Sequence, residues 1–325
     1  MKKLLSLLLC FSPLLAQECC ETCCGYSFAA EWLYFTPSFD QNAFIWDGRN
    51  DLQAVDGTAT RLGEKQQYYS AYRVAGAYHF ANCLNEISVW YTNFSHSYYD
   101  AGRVDPGSDI IGFSPTPTIA NNDPINFTFD RDYHYYNIVG LFKLYSTSFC
   151  HFTPAFSGGI KFAHLHLKEQ ANLNSAGFLM TQSPDMCTWA LGLCGALDGN
   201  YCLTECLDIK GRFLFGLLAS QARSRLTTTQ EFLGPTSGEI AIKNSPKYWH
   251  VVESLESRLG INYQKACAIP KTCLRFNLDI EGGFEQINEL WFLDRIQGSF
   301  RGGWSFDEWS DFTLFGPYLR MNLTY

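Results

Sequence analysis

The stretch DFTLFGPYLRMNLTY, residues 311–325, decides the fold. Pro317, Leu319, Met321, Leu323 and Tyr325 fall on one face of an extended chain, and Tyr318, Arg320, Asn322 and Thr324 on the other. Successive strand side chains point to opposite faces, so this alternation reads as a β-strand with one apolar and one polar side. Closing on an aromatic after alternate apolar residues has the form of a C-terminal signal read by barrel-assembly machinery. Leu319, Met321, Leu323 and Tyr325 carry it.

The same period recurs upstream. Tyr72, Val74, Gly76, Tyr78 and Phe80 alternate with Arg73 and its neighbours, and Tyr136, Ile138, Gly140, Phe142 and Leu144 with Asn137 to Lys143. Further alternating runs lie at 152–162, 207–217, 255–263 and 276–284, with weaker ones at 26–36, 86–97 and 187–197. For 86–97 either face can be the apolar one. The total is ten strands, with twelve as the alternative. Their connections alternate between short (81–85, 146–148, 198–200, 265–272) and long (37–67, 98–131, 167–186, 222–246, 287–310), and the long ones are rich in loop-forming residues. An even number of strands joined alternately by short turns and long loops is the organisation of an antiparallel transmembrane β-barrel, with turns in the periplasm and loops outside. A soluble sandwich has no reason to keep that alternation.

Composition and the first residues agree with export. Aromatic residues make up 16% of the 325, against 17% charged, and a barrel wall uses such a load in girdles at both membrane boundaries. The net charge of −8, with no basic tract, excludes nucleic acid as a partner. Met1–Ala16 reads as a signal peptide, with Lys2 and Lys3 before an apolar run and Ala16 at the cleavage position. Residues 17–25 form a cysteine-rich segment and 26–325 the barrel. No segment is apolar for long enough to cross a membrane as a helix, so a membrane-embedded form must be a closed barrel.

If the apolar parity faces lipid, Glu31, Arg73, Glu256, Arg258, Asp279, Glu281 and Arg320 face the lumen on strands that become neighbours on closure. Counted from the turns they share one level, with Lys143, Lys161, Lys210, Arg212 and Arg275 at others. Such a layer is either a constriction that selects solutes or a salt-bridged filling that seals a narrow barrel. His96, His134, His164, His166 and His250 map near the external rim. None is tied to a nucleophile or acid by a catalytic spacing, so the protein is not expected to be an enzyme. The pair His164-x-His166 suits a metal but equally a girdle, and no metal or cofactor is expected.

Of twelve cysteines after the signal, only Cys187 maps towards the outside. Cys19, Cys20, Cys23, Cys24, Cys83, Cys150, Cys194, Cys202, Cys206, Cys267 and Cys273 all map towards the periplasm, an oxidising compartment. Cys194 with Cys202 and Cys267 with Cys273 flank turns and are candidates for local disulfides. That leaves Cys19, Cys20, Cys23 and Cys24 for bonds to other envelope proteins or to other copies of the chain. The remaining partners expected are outer-membrane lipid and the barrel-assembly machinery.

Several blocks resemble the Legionella-type major outer membrane protein family, which includes porin-like proteins of environmental chlamydiae. They are AEWLYFTP at 30–37, YRVAGAYHF at 72–80, CTWALGLCGALDGNYCLTECLDIKGRFLFG at 187–216, LESRLGINYQ at 255–264 and the closing stretch. The resemblance implies an outer-membrane barrel that passes small hydrophilic solutes by passive diffusion. The alternative is a sealed structural or adhesive barrel, with a rim-sited enzyme a more distant third.

Overall fold

The structure is a computed structural model that describes residues 25–39, 43–49, 60–63, 67–80, 85–104, 108–111, 125–149, 151–175, 178–232, 239–244, 248–268, 275–298 and 305–325. The signal segment and the cysteines at 19–24 lie outside these residues. In chain order the strands are β1 (Gly25–Phe39), β2 (Ala43–Arg49), β3 (Thr60–Gly63), β4 (Tyr69–His79), β5 (Glu86–Val104), β6 (Ser108–Ile111) and β7 (Ile125–Ser146). They continue with β8 (Phe152–Ser175), β9 (Phe178–Thr204), β10 (Leu207–Phe232), β11 (Glu239–Asn244), β12 (Tyr248–Ala268), β13 (Arg275–Gly298) and β14 (Ser305–Thr324).

Ten of these close into one antiparallel barrel, in the order β1-β4-β5-β7-β8-β9-β10-β12-β13-β14. The seam joins β1 to β14, with Glu31 opposite Arg320 and Tyr26 exchanging two backbone hydrogen bonds with Tyr325. Strand β11 extends the edge of β10 from Arg225 to Gln230, while β2, β3 and β6 form a small separate sheet in the loops. Closure leaves the wall without a free edge, as a chain in hydrocarbon requires.

The strands are longer than the alternation predicts. Residues 198–200 are not a turn: β9 runs through them to Thr204, and the chain reverses at Glu205–Cys206. The expected loop at 167–186 is strand except at residues 176 and 177, which lie outside the description. Strands likewise occupy much of 98–131, 222–246 and 287–310. At about 3.3 Å per residue the 27-residue β9 is roughly 90 Å long, and even tilted by about 40° it stands more than twice as tall as a ~25 Å apolar band.

The outer surface marks where that band lies. Near the chain ends it begins with exposed Tyr26, Tyr145, Tyr263 and Tyr325, continues through Val89, Ile138, Leu193, Phe215 and Leu319, and stops at Trp32, Tyr72, Trp249 and Trp291. Within it the alternation holds apart from a bulge after Lys143, where Leu144 and Tyr145 both face out, and for β5 it is settled: Ile87 and Val89 face out while Trp90, Thr92 and Phe94 face in. Beyond the tryptophans the pattern changes phase. Asp130, Asp132, Lys168, Gln170, Arg223 and Arg225 are exposed outside, while Phe129, Tyr133, Leu165, Leu167 and Met186 are buried inside. The upper half of the barrel therefore stands in water around a mainly apolar interior, which also encloses a buried Arg131–Glu169 ion pair at 2.7 Å.

Candidate functional site: the lumen

Two ion-paired clusters fill the lumen at the level of the upper girdle. In the first, Glu31 accepts from Arg73 at 3.2 Å and Arg258 at 2.8 Å, and Arg320 approaches it at 3.6 Å. Arg73 also makes a two-pronged contact with Glu285, at 2.9 and 2.7 Å, and donates to the Thr92 hydroxyl at 2.7 Å. Arg258 donates to Glu281 at 3.1 Å and lies 3.7 Å over the Tyr318 ring, whose hydroxyl donates to the same carboxylate at 2.5 Å. Paired forks of this kind satisfy a guanidinium with fixed geometry.

In the second cluster, the Lys161 ammonium is fully buried against Glu256 at 2.5 Å, Glu289 at 2.8 Å and the Ser254 hydroxyl at 2.6 Å. Asn137 donates to Glu256, and the Tyr135 hydroxyl to Glu289 at 2.8 Å. Strands β7 and β13, which carry Tyr135 and Glu289, stand five places apart either way round a ring of ten. That hydrogen bond therefore spans the barrel's diameter.

Towards the loop end a continuous apolar cluster drawn from every barrel strand lies over the ions. It includes Leu33, Phe35, Phe94, Tyr133, Leu165, Met186, Val252, Phe292 and Phe312. The Tyr135 and Phe312 rings meet across it at 5.1 Å. Towards the chain ends, below the ions, lies a polar vestibule of about 300 Å3.

The structure brings Glu31, Arg73, Arg258, Glu281 and Arg320 together in the first cluster. Glu256 sits in the neighbouring cluster, and Asp279 lies nearer the turn, accepting from Asn322 at 3.0 Å. Lys161 is corrected: it belongs at the central level rather than another one, because counting from the turns ignores the stagger of tilted strands. Lys143, Lys210 and Arg212 line the vestibule, and the side chain of Arg275 lies outside the description. Sequence reading missed Glu285, Glu289, Tyr135 and Tyr318.

Glycine makes this packing possible at one position in particular. A Cβ on Gly260 would strike the Tyr318 hydroxyl, and through it disturb Glu281 and Arg258. Gly260→Ala is expected to destabilise the folded barrel by about 1–3 kcal/mol through overpacking. Adding Tyr318→Phe should recover part of the loss in urea unfolding, and no recovery would count against that contact.

The histidines have other partners. His166 contacts Asp185 at 2.8 Å, His164 contacts Cys187 at 3.5 Å and His250 contacts the Trp291 carbonyl at 3.0 Å. His96 turns inward and stacks on Tyr69 at 3.4 Å. Cys194 and Cys202 form no disulfide with each other, which corrects the expected local bridge. Both lie on β9, eight residues apart, and roughly 26 Å of extended chain is far beyond the reach of a disulfide. The pairing of Cys267 with Cys273 lies outside the described residues.

A family model described as Legionella pneumophila major outer membrane protein precursor matches residues 19–325. The chain belongs to this family. Membership, together with the closed antiparallel wall and its apolar belt, places the protein in the bacterial outer membrane. No curated protein matches the chain. Among solved structures, the outer membrane protease OmpT of Escherichia coli is similar at 9% identity and a TM-score of 0.37, covering 93% of this chain and 96% of its own. A Pseudomonas aeruginosa FadL homologue is similar at 8% identity and 0.26, covering 93% and 90%. The Pseudomonas putida toluene transporter TodX stands at 8% and 0.25, covering 92% and 88%. Likenesses this low assign no activity to this family member.

Proposed function

We propose that the protein is a closed outer-membrane barrel with a structural or adhesive role, rather than a standing diffusion pore. The observation that carries this reading is the buried Tyr135–Glu289 hydrogen bond across the full diameter, capped by the apolar cluster. Passive diffusion, the alternative, needs both layers to part. Parting them would leave carboxylates and guanidinium groups without partners and wet a dozen or more apolar side chains, each worth about 1.5–3 kcal/mol when buried. The upper half, standing in water, would carry the loops well clear of the lipid surface, as a stalk suits an adhesive or armouring role. Proteoliposomes holding the refolded protein are expected to take up small sugars no faster than protein-free vesicles. Rapid uptake would return the reading to a pore.

The proposal includes no catalytic step, and turnover of peptide or ester substrates by the refolded protein would contradict that. It includes disulfide links from Cys19, Cys20, Cys23 and Cys24 to neighbouring envelope proteins or to further copies, besides contact with outer-membrane lipid and the assembly machinery. Adjacent cysteines are poorly placed to bridge each other, which supports partners elsewhere. Native envelopes run without reductant are expected to show the protein in high-mass bands that collapse on reduction. Changing all four cysteines to Ser should abolish the bands while the barrel still inserts. Bands that survive the change would refute the links.

A further inference from the structure

The vestibule at the chain-end side of the lumen has an uncommon lining. Four cations (Lys143, Lys210, Arg212, Arg320) and four carboxylates (Glu86, Asp198, Asp279, Glu281) share its wall. Most are already matched: Lys143 with Glu86 at 2.6 Å, Arg212 with Asp198 at 2.5 Å, and Arg320 and Glu281 with the central cluster. Among the described residues Lys210 has no carboxylate within ion-pair distance and Asp279 accepts from a neutral amide, Asn322, so one charge of each sign is left without an ion-pair partner.

Amide groups surround that pair of charges. Asn262 is fully buried, yet among the described residues neither its Nδ2 nor its Oδ1 has a partner, and the Oδ1 atoms of Asn200 and Asn322 are equally unmatched. All three line the cavity. Buried polar groups left without a partner are costly, so the wall is built for an occupant that supplies donors and acceptors.

We propose that the vestibule binds a small zwitterion of the α-amino acid type, its carboxylate on Lys210, its ammonium on Asp279 and its edges on the asparagine amides. A simple anion would leave Asp279 unanswered, and an uncharged sugar would leave both charges so. The site opens away from the sealed layers, so it stands whether or not the lumen above it is closed.

The test uses the refolded full chain in detergent, with saturation-transfer NMR and equilibrium binding of L-alanine, acetate, ethylammonium and glucose. Saturable binding of L-alanine is expected, at least tenfold tighter than acetate or ethylammonium. Lys210→Met and Asp279→Asn should each weaken it tenfold or more, while Lys210→Arg keeps most of it. Heat-dependent gel mobility confirms that each variant is folded, and the wild-type comparison decides the class even if one is not. Acetate binding as tightly as alanine, glucose binding alone, no saturable binding, or unchanged affinity in both variants would overturn the assignment.

Discussion

Replacing Lys161 by Met is expected to destabilise the folded barrel by about 3–5 kcal/mol, the scale seen when one partner of a buried ion pair is removed. The Lys161 ammonium is fully buried and is the cation between Glu256 and Glu289, which come from β12 and β13 on the far side of the lumen. Methionine keeps most of the volume but leaves two carboxylates facing each other with hydrogen bonds from Asn137 and Tyr135 alone. Urea unfolding in detergent measures the loss. The triple variant Lys161→Met, Glu256→Gln, Glu289→Gln should recover much of it, because no charge is then left buried. A single variant as stable as the wild type would mean that water reaches this layer.

Arg258→Met is expected to have an effect of similar size, about 3–5 kcal/mol. Its guanidinium serves Glu31 and Glu281, stands 3.9 Å from Glu285, and stacks on Tyr318. Removing it leaves Glu31 to Arg73 and the more distant Arg320, and strips Glu281 to the Tyr318 hydroxyl. The pair Lys143–Glu86 provides a control. It sits in the half-open vestibule wall, and Lys143→Met should cost no more than about 1 kcal/mol, as exposed pairs do. Equal losses at Arg258 and Lys143 would contradict the burial on which the sealed lumen rests.

Where sequence reading succeeded and failed follows the surroundings of each strand half. In the lower half lipid touches the outside and ions fill the inside, so period-two alternation is strong and Glu31, Arg73, Arg258, Glu281 and Arg320 could be assigned inward. Above the tryptophans the outside meets water and the inside is mainly apolar, with the Arg131–Glu169 pair buried in it. On β13 the inward residues become Glu285, Ile287 and Glu289, followed past a bulge by Phe292, with Gln286 and Asn288 opposite. The alternation loses its contrast there and then reverses, and a polar outward face reads as loop. That is why the alternation stops short of the true strand ends and why Glu285, Glu289 and Tyr135 do not stand out in the sequence. Asp198-Gly199-Asn200 misled for a local reason: a strong turn signal was overridden by pairing of both neighbouring strands, with Asp198 held by Arg212.

The vestibule, by contrast, could not be read from spacing at all. Lys210, Asn262 and Asp279 come from three neighbouring strands, and the register between those strands brings them to one cavity. Their residue types are ordinary for a lumen wall, so nothing in the linear pattern sets them apart.

The central claim is that the resting lumen is closed, and single-channel recording of the refolded wild-type protein in planar bilayers tests it most directly. With the Tyr135–Glu289 bond and the apolar cluster in place, the predicted record is a baseline no different from the bare bilayer at moderate voltage. Stable, stepwise ohmic openings from the wild-type protein would contradict it.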